Sequence, residues 1–326
     1  MIEVNRKNMR IWSMLGMRRT IGAVLSDLLE LDDKFIFVPA DSGRYLAYEE
    51  FNRNHPDHVV NMGIAEQNMV AACAGLVNEG FNVFAAAYGT FISARALDQV
   101  RVNLGIMGLP VKFISLSGGL TNGNLSATHM ALEDYADMRA IPGMTVITPA
   151  DGTELVKTLV TMINYDKPAY IRLTGTANTT AQIYKEDYDF VVGKAVTLKE
   201  GTDIAIVSSG TILKTVLDVA ADLEQNGISC KVVNMHTIKP IDEEALREIA
   251  GMKLVVTVEE HVKWGGLGSA VAEFYAEQDT RPLMQMIALD SDKYPNSGEY
   301  DTLLDRCGLT REKIYDKITQ KYAKID

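Results

Sequence analysis

Short apolar runs alternate with longer segments of helical spacing along the first half of the chain. The runs end at turn residues, and the segments between them repeat apolar positions at the period of a helix. This alternation predicts a parallel β-sheet that is covered by helices on both faces. The predicted strands are residues 35–38, 58–62, 81–87, 111–116, 145–148 and 169–173, and the predicted helices are residues 19–31, 93–104, 130–139 and 152–164.

The second half repeats this alternation after a polar stretch. Residues 174–189 have the composition of a linker. Predicted strands then follow at residues 203–207, 230–234 and 253–258, with a helix at residues 212–225. A chain of 326 residues is long enough for two cores. We therefore predict the α/β class with two doubly wound domains, residues 1–185 and residues 190–326.

The glycine-rich segment at residues 265–269 begins another predicted helix. A glycine-rich entry to a helix can bind phosphate, but this one lacks the GxGxxG spacing of dinucleotide sites. We expect a tight turn with close packing instead. The nearby His261 has no predicted catalytic role.

Composition and charge exclude several partners. The net charge is −11, which argues against nucleic acid or an anionic membrane surface as the main partner. The cysteines Cys73, Cys230 and Cys307 lie far apart, so they indicate neither a disulfide framework nor a zinc site. No apolar stretch has transmembrane length, and the N-terminus lacks a secretory pattern. We therefore expect a cytoplasmic protein without a membrane partner.

Glu66 is the first candidate for chemistry. It lies in residues 63–68 (Gly-Ile-Ala-Glu-Gln-Asn), immediately before the nearly uncharged residues 69–77. A carboxylate that enters such an apolar environment needs a strong partner or must be neutralised. Carboxyl groups of this kind cluster at functional sites, although a helix-capping or subunit-contact glutamate would give the same pattern.

The flanking residues favour the functional interpretation. Residues 63–68, together with Tyr88-Gly89-Thr90-Phe91, resemble the pyrimidine-binding domain of transketolases, and the resemblance continues in order from about Arg18 to the C-terminal region. It implies a parallel-sheet, thiamine diphosphate-binding domain followed by a transketolase C-terminal domain. It also implies that Glu66 contacts the aminopyrimidine ring of thiamine diphosphate, and that Tyr88 and Phe91 hold that ring.

The resemblance implies roles for four more residues. His129 matches a histidine that contacts substrate hydroxyls, where an imidazole can relay protons. Arg18 matches an arginine that binds the substrate phosphate, and Asp41 matches an aspartate of the cofactor pocket. Ser117 stands in the substrate region where the family has a histidine. Taken singly, His129 also fits a hydrogen-bonded loop residue, and the charged residues also fit solvated positions.

The diphosphate motif of the family is missing from the chain. In transketolases, Gly-Asp-Gly followed by an asparagine holds the diphosphate and Mg²⁺, which prefers carboxylate, amide and phosphate oxygens. The nearest match, Ala150-Asp151-Gly152, follows a different strand. The resemblance therefore implies the second half of a split transketolase. We expect a partner subunit to supply the metal ligands, and a homodimer of this chain to lie within a heterotetramer.

The substrate region departs from the family pattern at more than one place. Besides Ser117, residues 123–127 (Gly-Asn-Leu-Ser-Ala) replace an acidic glycine loop that reads the donor hydroxyls. A second phosphate-binding arginine of the family corresponds to a position near Gly175, and only Arg172 is close to it. These departures predict an unusual sugar or aldehyde substrate.

Three other functions remain open from the sequence. The beta subunit of a 2-oxo-acid dehydrogenase shares the predicted layout and also lacks the diphosphate motif, although residues 130–142 resemble transketolase more closely. A 1-deoxyxylulose 5-phosphate synthase-like enzyme is the second alternative. The third is a non-enzymatic scaffold, which would not need Glu66 beside paired aromatic rings.

Overall fold

The computed structural model describes residues 2–176, 179 and 181–325. Met1, Asp326 and residues 177, 178 and 180 of the predicted linker lie outside the described residues. The strands of the described residues are β1 (Phe35–Pro39), β2 (Asn82–Tyr88), β3 (Lys112–Leu116), β4 (Thr145–Ile147), β5 (Ala169–Arg172), β6 (Val196–Lys199), β7 (Ile204–Ser208), β8 (Cys230–Asn234), β9 (Thr237–Lys239), β10 (Leu254–Val262) and β11 (Met284–Leu289).

Helices connect most of these strands. They are α1 (Arg6–Leu31), α2 (Glu49–Asn54), α3 (Glu66–Asn78), α4 (Leu97–Val100), α5 (Asp134–Ala140), α6 (Gly152–Ile163), α7 (Leu213–Gln225), α8 (Glu243–Ile249), α9 (Leu267–Ala276), α10 (Tyr300–Arg306) and α11 (Arg311–Tyr322).

Two sheets form the centres of the two domains. The first has the order β1-β2-β3-β5-β4-β9 and the second the order β11-β10-β7-β8-β6. In the first sheet, the side chains of β1 alternate between two cores. Phe35 and Phe37 pack with α1 and α6, while Ile36 and Val38 pack with α3 and α5. The predicted α/β class, with a sheet covered on both faces, is confirmed.

The sheets are not purely parallel, which corrects the sequence prediction. β9 pairs antiparallel with β4, and β6 pairs antiparallel with β8. After β8 ends, the backbone N–H of Thr148 donates to His236 O at 2.7 Å, and β9 then joins the open edge of β4. Antiparallel edge strands are short and need no helical crossover, so their apolar pattern is weak. The second half of the chain thus completes the sheet of the first.

Two predicted elements differ from the structure. Residues 58–62 are not a strand, because only Val59 forms a bridge to β1, and Gly63 then adopts a left-handed conformation (φ 65°). The helix predicted at residues 130–139 begins only at Asp134. Ala131 is extended and bridges Gly118, so its backbone groups bond to the loop after β3. The predicted helix at residues 93–104 is helical but contains two π-helical turns around α4.

Helix α1 extends further toward the N-terminus than predicted and is broken at Gly16. Gly16 has φ 70° and ψ 161°, a conformation that favours glycine. Beyond the break, the Thr20 hydroxyl donates to Trp12 O and Gly16 O at 3.1 and 2.9 Å, which fixes the angle between the two segments. Arg18 is carried on the second segment, two residues after the break.

A fully buried ion pair joins the two domains. Arg172 and Asp134 are 1% and 0% exposed, and Arg172 Nε donates to both carboxylate oxygens at 3.0 and 2.8 Å. Its Nη2 donates to Ala131 O at 3.0 Å and to Glu260 O of the second domain at 2.9 Å. The Tyr170 hydroxyl also donates to Asp134. Buried charges of this kind are tolerated only when they are paired and fully hydrogen-bonded.

The predicted linker is anchored rather than free along its described part. The buried Glu154 of α6 accepts hydrogen bonds from the hydroxyls of Tyr184 and Tyr188 at 2.9 and 2.8 Å. Asn234 of β8 donates to the same carboxylate at 2.9 and 3.0 Å. These contacts bind the connecting segment to both domains. The division into residues 1–185 and 190–326 stays a prediction.

The glycine-rich segment forms a tight turn, as predicted. The buried carboxylate of Glu259 accepts from the backbone N–H groups of Leu267 and Gly268 at 2.7 and 2.8 Å. Any side chain at Gly266 would collide with Glu259. The N–H groups of the first turn of α9 therefore bind a carboxylate of the chain itself. A phosphate would have to displace Glu259 to bind there.

We expect Arg172→Ala to destabilise the protein by about 3–5 kcal/mol, because Asp134 would keep its buried charge without a partner. Urea unfolding of the purified chain measures this loss. Arg311→Ala is the matched control, because Arg311 also makes a two-pronged contact, with Asp222, but is half exposed. A control loss as large as that of Arg172→Ala would contradict the prediction.

We also expect His261 to make stability fall in acid. His261 is fully buried, and its Nε2 accepts from the Tyr135 N–H while its Nδ1 bonds to Val262 O. Burial lowers the pKa of His261 to about 4. Between its usual pKa of about 6.5 and pH 4, the unfolded state binds a proton that the native state does not, so stability falls as pH falls, by up to about 3 kcal/mol. His261→Gln should remove this part of the acid loss, and parallel pH–stability curves for the two proteins would contradict it.

Candidate functional site

Four predicted site residues lie along one edge of the first sheet. Tyr88 ends β2, Ser117 follows β3, and Asp41 follows β1, so all three lie at the carboxyl ends of parallel strands. Ligands of open α/β sheets bind at this edge. The short 3₁₀ turn Ala127–His129 brings His129 to the same place.

Tyr88, Phe91 and His129 form an aromatic cluster. The His129 ring lies edge-on to Tyr88 and to Phe91, with centroid distances of 5.8 and 5.5 Å. The Tyr88 and Phe91 rings are 5.8 Å apart and tilted. The Thr128 hydroxyl is hydrogen-bonded to His129 Nδ1 at 2.9 Å, which fixes the imidazole orientation. The cluster presents flat apolar faces with one polar ring, as a planar heterocycle requires.

Tyr45 extends this cluster, although it is not among the residues predicted from the sequence. Its ring stacks nearly parallel to Tyr88 at 5.9 Å, and its hydroxyl accepts a hydrogen bond from Arg44 Nη2 at 3.1 Å. That hydrogen bond lowers the pKa of Tyr45, while burial raises the pKa of Tyr88. A lone tyrosine within a 3₁₀ turn carries no periodic signal, so nothing in the sequence marks it.

Glu66 is buried beside the cluster and has a cationic partner. It is the first residue of α3, is 3% exposed, and lies 2.9 Å from Arg95 Nη1 through its Oε2. The Arg95 guanidinium carbon is 3.9 Å from the centre of the Phe91 ring. Arg95 therefore connects the carboxylate to the aromatic cluster. The sequence predicts a strong partner for Glu66 without identifying it. The position of Arg95, four residues after Phe91, was the only available signal for this partner.

Arg18 lies on the other side of Tyr88. Its Nη2 donates to the Ser117 hydroxyl and to Asn122 Oδ1, both at 3.3 Å. Burial lowers the pKa of Arg18, while Tyr88 and Tyr45 oppose that shift. Ser117 is 1% exposed and has φ 68°, a strained conformation for a residue with a side chain. Arg18 thus lies near Tyr88 and bonds to Ser117, and His129 packs against the Tyr88 ring.

Asp41 stands apart from this group. Its carboxylate is 3.6 Å from Arg44, and its N–H donates to Gly63 O. The connection to the aromatic cluster runs through the next residue, because the Ser42 hydroxyl accepts from the Tyr88 N–H at 3.0 Å. Asp41 borders the loop that leads to Glu66 without contacting the rings through its own side chain.

The sequence departs from the family pattern near Gly175 and at residues 123–127. Arg172, the arginine nearest to Gly175 in sequence, is bound to Asp134. Leu125 is 47% exposed beside the His129 turn, which gives this wall an apolar side chain. Among the described residues, no three His, Cys, Asp or Glu side chains are grouped as a metal site, and no helix is long and apolar enough to cross a membrane.

Comparisons with known proteins agree with this geometry. The family model for the transketolase pyrimidine-binding domain matches residues 13–179, and the model for the transketolase C-terminal domain matches residues 193–314. One of the subunits of the apulose-4-phosphate transketolase of Phocaeicola vulgatus is 34% identical over 93% of this chain and 96% of that protein. The 6-deoxy-6-sulfo-D-fructose transketolase subunit SqwH of a Clostridium species is 35% identical over 91% of this chain and 92% of that protein.

A solved structure of a split-gene transketolase, an inactive β4 tetramer, has the same fold. It superimposes with a TM-score of 0.83 at 33% identity, over 94% of this chain and 97% of that one. A 1-deoxy-D-xylulose-5-phosphate synthase of Prochlorococcus marinus is 33% identical over 93% of this chain, but this covers only 48% of that protein. The chain thus has the length of the split subunits.

We expect Glu66 and Arg95 to be energetically coupled. A double-mutant cycle of Glu66→Gln and Arg95→Met, read by urea unfolding, should give a coupling of about 1 kcal/mol. The value is modest because Arg95 is 46% exposed, and Met keeps apolar cover over Phe91. Additive effects of the two substitutions would mean that the carboxylate does not depend on Arg95.

Proposed function

We propose that this chain, which belongs to the transketolase family, is the subunit of a split transketolase that carries the pyrimidine-binding and C-terminal domains. The enzyme is a transferase that moves a two-carbon ketol unit from a ketose to an aldose. The observation that carries the proposal is the buried Glu66 carboxylate beside Tyr88, Phe91 and His129 at the carboxyl edge of the sheet. Relatives of the same length that are named transketolase subunits support it.

The aromatic cluster fits the pyrimidine ring of thiamine diphosphate. Tyr88 and Phe91 would hold the ring, and Glu66 would share a proton with a ring nitrogen, which requires a carboxyl in an apolar environment. The bound cofactor would supply a nucleophilic carbon and an electron sink for the carbanion. Arg95 would have to yield part of the carboxylate to the ring, and its half-exposed position leaves it free to move. Asp41 would border the pocket.

His129, Arg18 and Ser117 form the substrate side of the proposed site. His129 is held by Thr128 and would hold or move a proton of a substrate hydroxyl. The Arg18 guanidinium would bind an anionic substrate group, and the Ser117 hydroxyl orients that guanidinium at 3.3 Å.

A partner subunit completes this enzyme in our proposal. It would supply the diphosphate-binding domain and the Mg²⁺ ligands, and two copies of each chain would form a heterotetramer in the cytoplasm. The inactive state of a similar chain as a β4 tetramer supports the need for a partner. Titration of thiamine diphosphate with Mg²⁺ should therefore give binding in the mixture of both chains, and tight binding by this chain alone would contradict the need for a partner subunit.

The substrate is a non-standard sugar in our proposal. The committed Arg172 and the exposed Leu125 support it, because the pocket has fewer cationic and acidic groups than the family pattern requires. Relatives named for apulose 4-phosphate and for 6-deoxy-6-sulfo-D-fructose make these two sugars the first to assay. Efficient turnover of xylulose 5-phosphate with ribose 5-phosphate would overturn this part of the proposal and leave the ketol transfer standing.

Two alternative functions have weaker support. A 1-deoxy-D-xylulose-5-phosphate synthase-like activity has sequence similarity behind it, but those proteins are about twice as long as the matched region. No observed contact favours the beta subunit of a 2-oxo-acid dehydrogenase over ketol transfer. An assay of the complex with pyruvate and a lipoyl acceptor tests the dehydrogenase alternative, and an assay with pyruvate and D-glyceraldehyde 3-phosphate tests the synthase alternative.

We expect Glu66→Gln to lower kcat of the complex at least about a hundredfold, because the amide cannot share the proton with the ring nitrogen. Ketol transfer by the reconstituted complex measures the effect. Glu79→Gln is the matched control, since Glu79 lies at the other end of α3 and is exposed. Full activity of Glu66→Gln would exclude the proposed role of this residue.

A further inference from the structure

A cavity of about 780 Å³ lies between the two domains. Arg18 and Asn122 line it from the first domain, and Thr211, Lys214 and Tyr300 line it from the second. Arg18 is the link to the proposed active site, because it also lies beside Tyr88. Arg18 therefore belongs both to the cavity wall and to the substrate side of that site.

The wall from the first domain holds N–H donors that lack acceptors. Asn122 is 8% exposed, and its Oδ1 accepts from Arg18 Nη2. Neither Asn122 Nδ2 nor Arg18 Nε has a partner with hydrogen-bond geometry among the described residues, although the Tyr88 hydroxyl is close to Asn122. Buried donors without a well-aligned acceptor are costly, and acceptor oxygens of a ligand in the cavity would give such groups a partner.

The wall from the second domain is the N-terminus of α7. The helix begins at Leu213 and has no acidic residue in its first turn, and its N-cap Ile212 makes no side-chain cap. The partial positive charge of a helix N-terminus attracts anions. Thr211 is fixed to the first domain, because its N–H donates to Thr174 Oγ1 at 2.9 Å. The helix end is therefore held at a defined distance from Arg18.

Lys214 adds a cation to this helix end. Its amine contacts Asp218 one turn further along α7, and the two side chains are 51% and 38% exposed. An exposed pair of this kind contributes little, so the amine can exchange Asp218 for a ligand. The arginine expected near Gly175 is absent, and Arg172 is committed to Asp134. Lys214 is the cation of the second domain that lines the cavity wall.

The other charged residues that line the cavity are acidic, which disfavours a ligand that carries several negative charges and no hydroxyl groups. Glu299 and Asp301 flank Tyr300 on the cavity wall. Their carboxylates balance the charges of Arg18 and Lys214, and they accept hydrogen bonds from hydroxyl groups. One oxyanion on a polyhydroxylated chain matches this arrangement of donors, cations and acceptors.

We propose that Lys214 of the second domain, which lines this cavity, is a further specificity-determining residue for the terminal oxyanion of the sugar substrate that Arg18 binds. The proposal rests on the proposed function and deepens it. Phosphate monoesters and sulfonates share the required chemistry, and the test below separates them.

The test measures binding to this chain alone, without cofactor or partner, so that its result is independent of ketol transfer. Calorimetric titrations use D-fructose 6-phosphate, the C6-sulfonated analogue of the same ketose, D-fructose and inorganic phosphate. We expect at least one of the two oxyanion sugars to bind, and both D-fructose and inorganic phosphate to bind at least about tenfold more weakly. Lys214→Gln should raise the Kd of the preferred sugar about tenfold.

Lys253→Gln is the matched control. Lys253 is 58% exposed, pairs with Asp203, and does not line the cavity. Asn122→Asp is the second variant, because it keeps the acceptor for Arg18 while replacing the free donor by a negative charge, and we expect it to abolish oxyanion binding. Equal affinity of Lys214→Gln and Lys253→Gln would overturn the proposal, and so would equal affinity for inorganic phosphate and the sugar.

The two proposals fail separately in this design. Lys214-dependent binding by a chain whose complex shows no ketol transfer would support the cavity site and contradict the proposed function. Ketol transfer by the complex with a KM that Lys214→Gln leaves unchanged would support the function and overturn the cavity site.

Discussion

The structure depends on the buried ion pair between Arg172 and Asp134. Because both side chains are shielded from water, the pair holds only while every remaining polar atom is satisfied, and its partners come from three parts of the chain: Tyr170 on β5, Ala131 before α5, and Glu260 on β10. That requirement fixes where α5 begins, where the segment leading from His129 runs, and how the second domain sits on the first. On the proposed assignment, the same pairing keeps Arg172 from binding the substrate.

The proposed site divides into two halves that differ in polarity. The cofactor half is apolar and aromatic, with one buried carboxylate whose cation, Arg95, also covers a ring. The substrate half is polar and is organised by Arg18, which bonds to a strained serine and a buried asparagine. A flat ring gains most from apolar faces, whereas a sugar needs donors and acceptors. The rigid edge of a parallel sheet lets both halves lie within a few residues of each other.

Apolar periodicity was enough to predict the α/β class and most parallel strands, because buried strands leave continuous apolar runs. It failed at β6 and β9, whose short edge pairings carry almost no pattern, and at residues 58–62, where apolar residues follow β1 without forming a strand. Motif resemblance selected Glu66, Tyr88, Phe91 and His129, which the fold brings together around one cluster. Arg95, Tyr45 and Asn122 could not be found in this way, because their contacts join residues that are distant in sequence or lie in irregular turns.

Substrate recognition and domain docking are coupled in this chain. Gly175 carries no side chain, and a Cβ at this position would lie 3.0 Å from the Thr211 methyl group, so the second domain packs closely against this glycine. The hydrogen bond from Thr211 N–H to Thr174 then sets the distance between α7 and Arg18. On the proposed assignment, a shift of the second domain would change the spacing of the two cations without moving Glu66 or the aromatic rings. Specificity could therefore change through the domain interface while the cofactor half of the site stays the same.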